Sequence, residues 1–203
     1  MDTKQAETEI AVIRKIMEDT SRIIDSGKDF IVWGFVVFLG MLGTYYFIIA
    51  GMSKSIPWLW AVLIGVGWIY SIAFHWRASY KLRAKTLAGR ILAGVWISSG
   101  IVMTVIGFLG SATGAVRGWA ITPVISLVLG SAYLVSGIIY GRKWLRNLAL
   151  GWWVGGIAMM LFPGLHIFLV FALMMVLFQI IPGFIFYSNW KKSLKSEPAA
   201  ESV

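Results

Sequence analysis

The sequence predicts an all-α, polytopic membrane protein with six transmembrane helices and an N-terminal cytoplasmic amphipathic helix. Of the 203 residues, 59% are hydrophobic and only 13% are charged, and the mean hydropathy is +0.80. Soluble domains have about 25% charged residues. So few charges cannot cover the surface of a soluble domain of this size. The chain also has no cysteine, which excludes a disulfide scaffold and any thiolate metal site.

Residues 1–28 are predicted to form the cytoplasmic amphipathic helix. Apolar side chains recur there at the alternating spacing of three and four that is typical of a packed helix face. Residues 2–29 contain five basic and seven acidic residues, whereas helices that lie on lipid have polar faces rich in Lys and Arg. The mixed charge favours docking on protein over lying on lipid, and the partner is this protein's own basic loops, a second copy or another protein. The residues predicted to bind this partner are Ile10, Ile13, Met17 and Ile24.

Residues 29–192 are predicted to form a bundle of six spans, because a bilayer core of about 30 Å needs about 20 apolar residues of helix. The fifth span is doubtful: its clean apolar run, Leu148–Phe162, is only about 22 Å long. A helix that starts earlier, at Trp144, spans the bilayer core if the side chain of Arg146 extends so that its guanidinium reaches the lipid headgroups. Residues 193–203 are predicted to be a disordered cytoplasmic tail. The six predicted spans are Phe30–Ala50, Pro57–Trp76, Ala88–Ser111, Ala120–Tyr140, Trp144–Phe162 and Leu165–Tyr187.

The basic residues predict the orientation of the bundle. Of the 18 Lys and Arg residues, all but Lys54 and Arg117 lie in the tails and in the loops after the second and fourth spans. Basic residues favour the cytoplasmic side of a membrane. We therefore expect a multi-pass protein of the cytoplasmic (inner) membrane with both termini in the cytoplasm. The net charge of +9 then reflects topology and attraction to the lipid bilayer, and no nucleic-acid partner is expected.

A weak internal repeat divides the bundle into three helical hairpins, at about residues 30–80, 88–143 and 144–192. A shift of 63 aligns Trp33 with Trp96. All three hairpins would enter from the cytoplasm as parallel repeats; the alternative is that apolar helices match by chance at a few Gly and aromatic positions. A shift of 65 aligns Gly65 with Gly130, Trp68 with Tyr133, Ser71 with Ser136, and Arg77 with Arg142.

The distribution of ionisable residues argues against catalysis. No acidic residue lies between Phe30 and Ser196, and intramembrane carboxylates are the usual proton relays and cation ligands. We expect no enzyme activity, no metal and no cofactor. The two histidines, His75 and His166, are the candidates for holding a pigment or haem singly, although interfacial histidines need no such role. They are predicted at opposite ends of the bundle, about 30 Å apart, so one haem cannot bridge them.

Gln179 is the predicted intramembrane polar site, in the cytoplasmic half of the sixth span. It lies three residues before Pro182. Proline deprives the carbonyl four residues earlier, that of Phe178, of its donor. The Gln179 amide is a replacement donor for that carbonyl. The alternative is that Gln179 provides a polar contact in a substrate path.

The most distinctive stretch runs from Leu127 to Gly164. It combines Gly130 and Gly137, a basic turn, Trp153 and a closing Pro163–Gly164. This stretch resembles the repeat unit of HdeD-like proteins, small six-span bacterial membrane proteins linked to acid resistance. The resemblance implies a stress-related role in a bacterial inner membrane and supplies no catalytic residue. The N-terminal segment instead resembles other small bacterial membrane proteins that open with a cytoplasmic helix.

The sequence thus predicts a non-enzymatic integral membrane protein that serves as an accessory or stress-related interaction module. Two alternatives stay open. One is a carrier or binding subunit for a small apolar ligand, and the other is a pigment- or haem-holding subunit. Aromatic residues expected in the outer half could line the pocket of a carrier: Trp58, Trp60, Trp68, Trp119 and Tyr133.

Overall fold

The computed structural model describes residues 27–79 and 87–196, and within them the side chains of 27–74 and 88–192. The predicted N-terminal helix, with Ile10, Ile13, Met17 and Ile24, lies outside the described residues. The side chain of His75 and the tail after Ser196 lie outside them as well.

Six helices make up the described residues, which contain no strand. Helices α3 and α6 each contain one π-helical turn. The bounds of the six helices match those of the six predicted segments closely, except that α6 continues nine residues beyond Tyr187. The helices are α1 (Lys28–Ile49), α2 (Ile56–Ser79, after a 3-10 turn at Ser53–Ser55), α3 (Leu87–Val105, Ile106–Gly110 and Ser111–Thr113), α4 (Gly118–Ile139), α5 (Lys143–Leu161) and α6 (His166–Met175, Val176–Ile180 and Ile181–Ser196).

Five helical segments are long and apolar enough to cross a membrane, so the chain is a multi-pass integral membrane protein. Helix α5 is not among the five. It has the length, but Arg146 and Asn147 lie in its second turn and lower its hydropathy. The sixth crossing therefore stays a prediction. The five segments are Lys28–Ile49, Ser53–Phe74, Ala88–Thr113, Gly118–Ile139 and His166–Lys192.

Four helices, α1, α4, α5 and α6, form the centre of the bundle, and α2 and α3 lie at its periphery. In the apolar windows of α4 and α6, 50% of the residues are buried, against 6% in α2 and α3. Helix α2 packs mainly on α1, and α3 mainly on α4, while α1 also packs along α6. The outward faces of α2 and α3 carry exposed apolar side chains such as Val62, Ile69 and Ile101, which suit contact with lipid.

Helices α4 and α5 make the most extensive contact in the bundle. The turn between them follows Gly141, which ends α4 in the left-handed conformation (φ +63°). A methyl group at Gly137 would lie 2.6 Å from the Cα of Arg146, so the two backbones touch there. Such close approach through small residues is how helices pack in lipid.

Each of the first two predicted hairpins has a hydrogen bond that joins its own two helices, and the two bonds match each other. The indole N–H of Trp33 donates to Ser71 Oγ at 2.9 Å, and that of Trp96 donates to Ser136 Oγ at 3.1 Å. These are the tryptophans and serines that the sequence shifts align. The most extensive helix contact, that of α4 with α5, nevertheless joins two different predicted hairpins. The repeat therefore stays a prediction that these two bonds support.

The orientation of the bundle can be tested with reporter fusions. Because the basic residues are predicted to lie almost entirely at one end of the bundle, fusions after Lys28, at Lys81, after Lys143 and after Lys195 should all report the cytoplasm. A fusion in the 51–56 loop should report the opposite side. An outside signal at Lys81 would contradict the predicted number of spans.

Candidate functional site

The centre of the bundle contains one buried polar pair. The hydroxyl of Tyr133, in α4, donates a hydrogen bond of 2.6 Å to Gln179 Oε1, in the π-helical turn of α6. Tyr133 is 0% exposed and Gln179 is 4% exposed. Gly34 of α1 lies against the same turn, since a methyl group there would be 3.1 Å from Gln179 Cγ. The pair therefore lies where α1, α4 and α6 meet.

Aromatic rings from three helices surround Tyr133. Its ring centroid lies 5.8 Å from that of Phe30 in α1, 5.5 Å from Trp96 in α3 and 6.0 Å from Trp152 in α5. Trp152 also contacts Phe171 of α6, at 5.6 Å between centroids. Most of these are edge-on or tilted contacts, the arrangement that aromatic pairs prefer. The rings fill the middle of the bundle and bind its helices together.

Two further polar contacts join neighbouring helices at this level. Ser126 Oγ donates to the backbone oxygen of Trp152 at 2.6 Å, across the α4–α5 contact. Ser136, which accepts from Trp96, donates onward to the backbone oxygen of Ala132 at 2.7 Å. The indole N–H of Trp152 is buried and has no hydrogen-bond acceptor among the described residues.

The structure gives Gln179 a partner that the sequence analysis did not identify. Gln179 was predicted from its place before Pro182, and it is indeed buried. Its carbonyl oxygen accepts from Tyr133, whereas the bond from its amide to the Phe178 carbonyl is not among the hydrogen bonds of the described residues and stays a prediction. Proline is accommodated by the π-helical turn, in which the N–H of Ile181 donates to Val176 O. Tyr133 lies on a buried face of α4 that also carries the hydroxyls of Ser126 and Ser136, and this series of hydroxyls was the signal that could have pointed to Tyr133.

The histidine candidates are not brought to this site. His166 is exposed at the start of α6, and its Nε2 lies 2.9 Å from the backbone oxygen of Phe162. The backbone of His75 lies near the end of α2, at the opposite end of the bundle. Among the described residues, no group of three or more His, Cys, Asp or Glu residues comes together.

Comparison of the chain with protein-family models, curated proteins and solved structures finds no match. The resemblance to HdeD-like proteins therefore stays a prediction.

The chemistry of the pair is that of a neutral hydrogen bond between helices. The phenol of Tyr133 and the carboxamide of Gln179 are both neutral groups. The phenol supplies the donor of the hydrogen bond and the carboxamide oxygen supplies the acceptor. Burial in an apolar surrounding makes an unpaired polar group costly. The bond therefore fixes the position of α4 against the π-helical turn of α6, next to Pro182.

A double-mutant cycle tests this assignment. Tyr133→Phe and Gln179→Leu should each destabilise the protein, and the double variant should lose less than the sum of the two. Interhelical hydrogen bonds in membranes average about 0.6 kcal/mol and reach about 1.7 kcal/mol, so we expect a coupling in that range. Reversible unfolding in mixed micelles measures it.

The matched control for this cycle is Tyr46→Phe, since Tyr46 is 62% exposed on α1. It should leave the free energy of unfolding unchanged. Strict additivity of the Tyr133 and Gln179 variants would show that their hydrogen bond does not join the two helices.

Proposed function

We propose that this protein is a non-enzymatic membrane interaction module that acts by docking other molecules on its surface. The observation that carries the proposal is the filled centre of the bundle. Trp152, Tyr133 and Phe171 are wholly buried there, and the side chains of Ser126, Ser136 and Gln179 beside them form hydrogen bonds between helices. A protein built in this way works through its surface.

A carrier of small ligands needs a different interior. Ligand sites are concave and typically have volumes of about 300–1,000 Å³. The aromatic residues suggested for such a pocket are distributed over separate helix contacts. Trp60 donates to Thr44 Oγ1 at 3.0 Å and Trp68 donates to Thr104 Oγ1 at 3.4 Å, while Trp58 is 75% exposed. These contacts favour the interaction module over the carrier.

The docking element in this proposal is the N-terminal segment, which lies outside the described residues. Its apolar stripe comprises Ile10, Ile13, Met17 and Ile24. An isolated helix of this length is only marginally stable in water, and most helix stability in proteins comes from a packed face. A stripe of this kind on a cytoplasmic tail therefore calls for a protein surface to pack on.

The place of docking follows from the predicted orientation. The N-terminal segment leads directly into Gly27, which lies against Gly183 of α6. The predicted orientation puts the start of α1 at the end of the bundle where the basic loops are expected. We propose that it docks at the cytoplasmic face of a bacterial inner membrane. The stress-related role rests on the HdeD-like resemblance alone.

Co-purification with and without the N-terminal segment tests the proposed function. The full chain, cross-linked in its native membrane and purified, should retain a defined protein partner or a second copy of itself. Removal of residues 1–27 should abolish binding of that partner, whereas removal of residues 197–203 should leave the binding intact. Identical partners for all three proteins would overturn the proposal.

A further inference from the structure

A groove open to the membrane runs between α2 and α6, with α1 as its floor. Its volume is about 320 Å³. Helix α1 packs on both α2 and α6, and the two walls rise on either side of it at the end of the bundle that holds the start of α1. The lining residues are Lys28, Ile31, Val32, Tyr70, Phe184 and Tyr187.

Aromatic rings on both walls hold the amine of Lys28 at the mouth of this groove. Its Nζ lies 5.8 Å from the ring centroid of Phe74 on α2 and 5.3 Å from that of Trp190 on α6. Each of these rings is backed by a tyrosine: Tyr70 stacks on Phe74 at 5.7 Å and Tyr187 packs on Trp190 at 5.8 Å. The ring faces attract the cation but accept no conventional hydrogen bond from it. The three N–H donors of the ammonium suit an oxygen ligand.

The groove changes from charged to apolar with depth. Ile31 and Val32 follow Lys28 by three and four residues, so they lie about 5 Å deeper along α1. On α6, Phe184 lies six residues before Trp190, about 9 Å deeper, and it is half exposed. The groove thus has a cation at the membrane surface and an apolar channel below it. An anionic phospholipid has the matching order, with a negative headgroup at the surface and acyl chains below.

The charge around the mouth favours an anion. Lys191 and Lys192 are exposed at the same end of α6, and no acidic residue follows Asp29 until Glu197. Asp29, which adjoins Lys28, is half-buried, so among the described residues three lysines and one carboxylate give the mouth a net positive charge. Basic sites between membrane helices at the cytoplasmic side bind anionic lipid headgroups.

We propose that this groove, the Lys28 groove, binds an anionic phospholipid: its headgroup phosphate contacts the Lys28 ammonium and one acyl chain lies along Val32 and Phe184. The proposal goes beyond the docking function and does not depend on it. The site selects for headgroup charge through Lys28 and for an acyl chain through the apolar floor.

Native mass spectrometry of the full chain in detergent tests the charge selection, with phosphatidylglycerol and phosphatidylcholine of identical acyl chains as probes. Phosphatidylglycerol should be retained in preference. Lys28→Gln should weaken its retention about fivefold, the change that corresponds to about 1 kcal/mol per basic residue near a membrane surface, and should weaken the retention of phosphatidylcholine less, because the choline cation offsets the charge of the same phosphate. The matched control is Lys54→Gln, at the other end of the bundle, which should change neither.

A second pair of variants tests the apolar channel. Val32→Trp fills the floor of the Lys28 groove and should lower the retention of both lipids. Val66→Trp, the same change on the exposed face of α2, should lower neither. Thermal unfolding in the same detergent confirms that each variant is folded.

Three outcomes would overturn the proposal: no preference for phosphatidylglycerol, equal losses in Lys28→Gln and Lys54→Gln, or unchanged retention in Val32→Trp. A preference that arises only after removal of residues 1–26 would also overturn it, because the groove would then be covered by the chain's own N-terminal segment.

Discussion

Replacing Gly137 by alanine is expected to force α4 and α5 apart and to lower the free energy of unfolding by about 3 kcal/mol, the upper end of the usual cost of overpacking. The added methyl group would lie 2.6 Å from the Cα and 2.7 Å from the Cβ of Arg146. Since the Cα belongs to the backbone, no rotamer change relieves the clash, and one helix has to move. The contact that is disturbed is the most extensive one in the bundle. Reversible unfolding in mixed micelles measures the loss.

The matched control is the same substitution at Gly94 of α3. Nothing lies within 4 Å of a methyl group placed there. Alanine is favoured over glycine in a helix by about 1 kcal/mol, so Gly94→Ala should be neutral or slightly stabilising. Equal destabilisation by both substitutions would contradict the close α4–α5 packing.

Replacing both Ile13 and Met17 by aspartate is expected to release the N-terminal segment from its partner. A buried unpaired charge costs about 3–5 kcal/mol. The free-energy cost of two such charges exceeds the free energy that one short helix gains by docking. The membrane bundle should stay folded, because its packing lies within residues 27–196. The expected result is a folded protein that loses a protein partner, a dimer contact or the protection of its tail from protease.

The control for this double variant places the same two charges on the opposite face of the predicted helix, as Thr8→Asp with Ala11→Asp. At 3.6 residues per turn, both positions lie away from the apolar stripe, and this variant should keep the partner. Loss of binding to anionic liposomes alone, with every protein contact intact, would identify the segment as a lipid-surface helix instead.

The positions of the helices could be predicted from the sequence because hydropathy reports on each helix separately. The doubtful fifth span illustrates the limit: Arg146 and Asn147 leave α5 below the hydropathy of a spanning helix, although Leu145 beside them is wholly buried. Hydropathy describes the preference of a helix for lipid and does not identify its neighbours. The close α4–α5 contact therefore could not be predicted.

Small residues recur four apart in the sequence, as at Ala61/Gly65 and Gly137/Gly141, and such a spacing predicts a helix face for close packing but not what covers it. Gly137 packs against α5, whereas Gly141 ends α4 with a positive φ. Gly65 has open space around it. The same spacing thus serves three purposes, and only the crossing of the helices distinguishes them.

Only one residue of the buried polar pair could be predicted from the sequence, again because a local pattern does not identify neighbouring helices. Gln179 could be singled out because a carboxamide is rare in an apolar span and lies close to proline. Its partner Tyr133 is 46 residues away in the chain, and their meeting depends on how α4 crosses α6. The Lys28 groove takes its residues from three helices, so no local pattern contains it.

Site-specific photo-cross-linking in intact cells tests most directly the central claim that the N-terminal segment docks on protein. A photoreactive residue at Met17, on the apolar stripe, should form an adduct with a defined protein, either a second copy, another chain or the protein's own bundle. The same probe at Thr8, on the opposite face, should form none. Adducts with lipid alone at Met17, or equal protein adducts at Met17 and Thr8, would contradict the account.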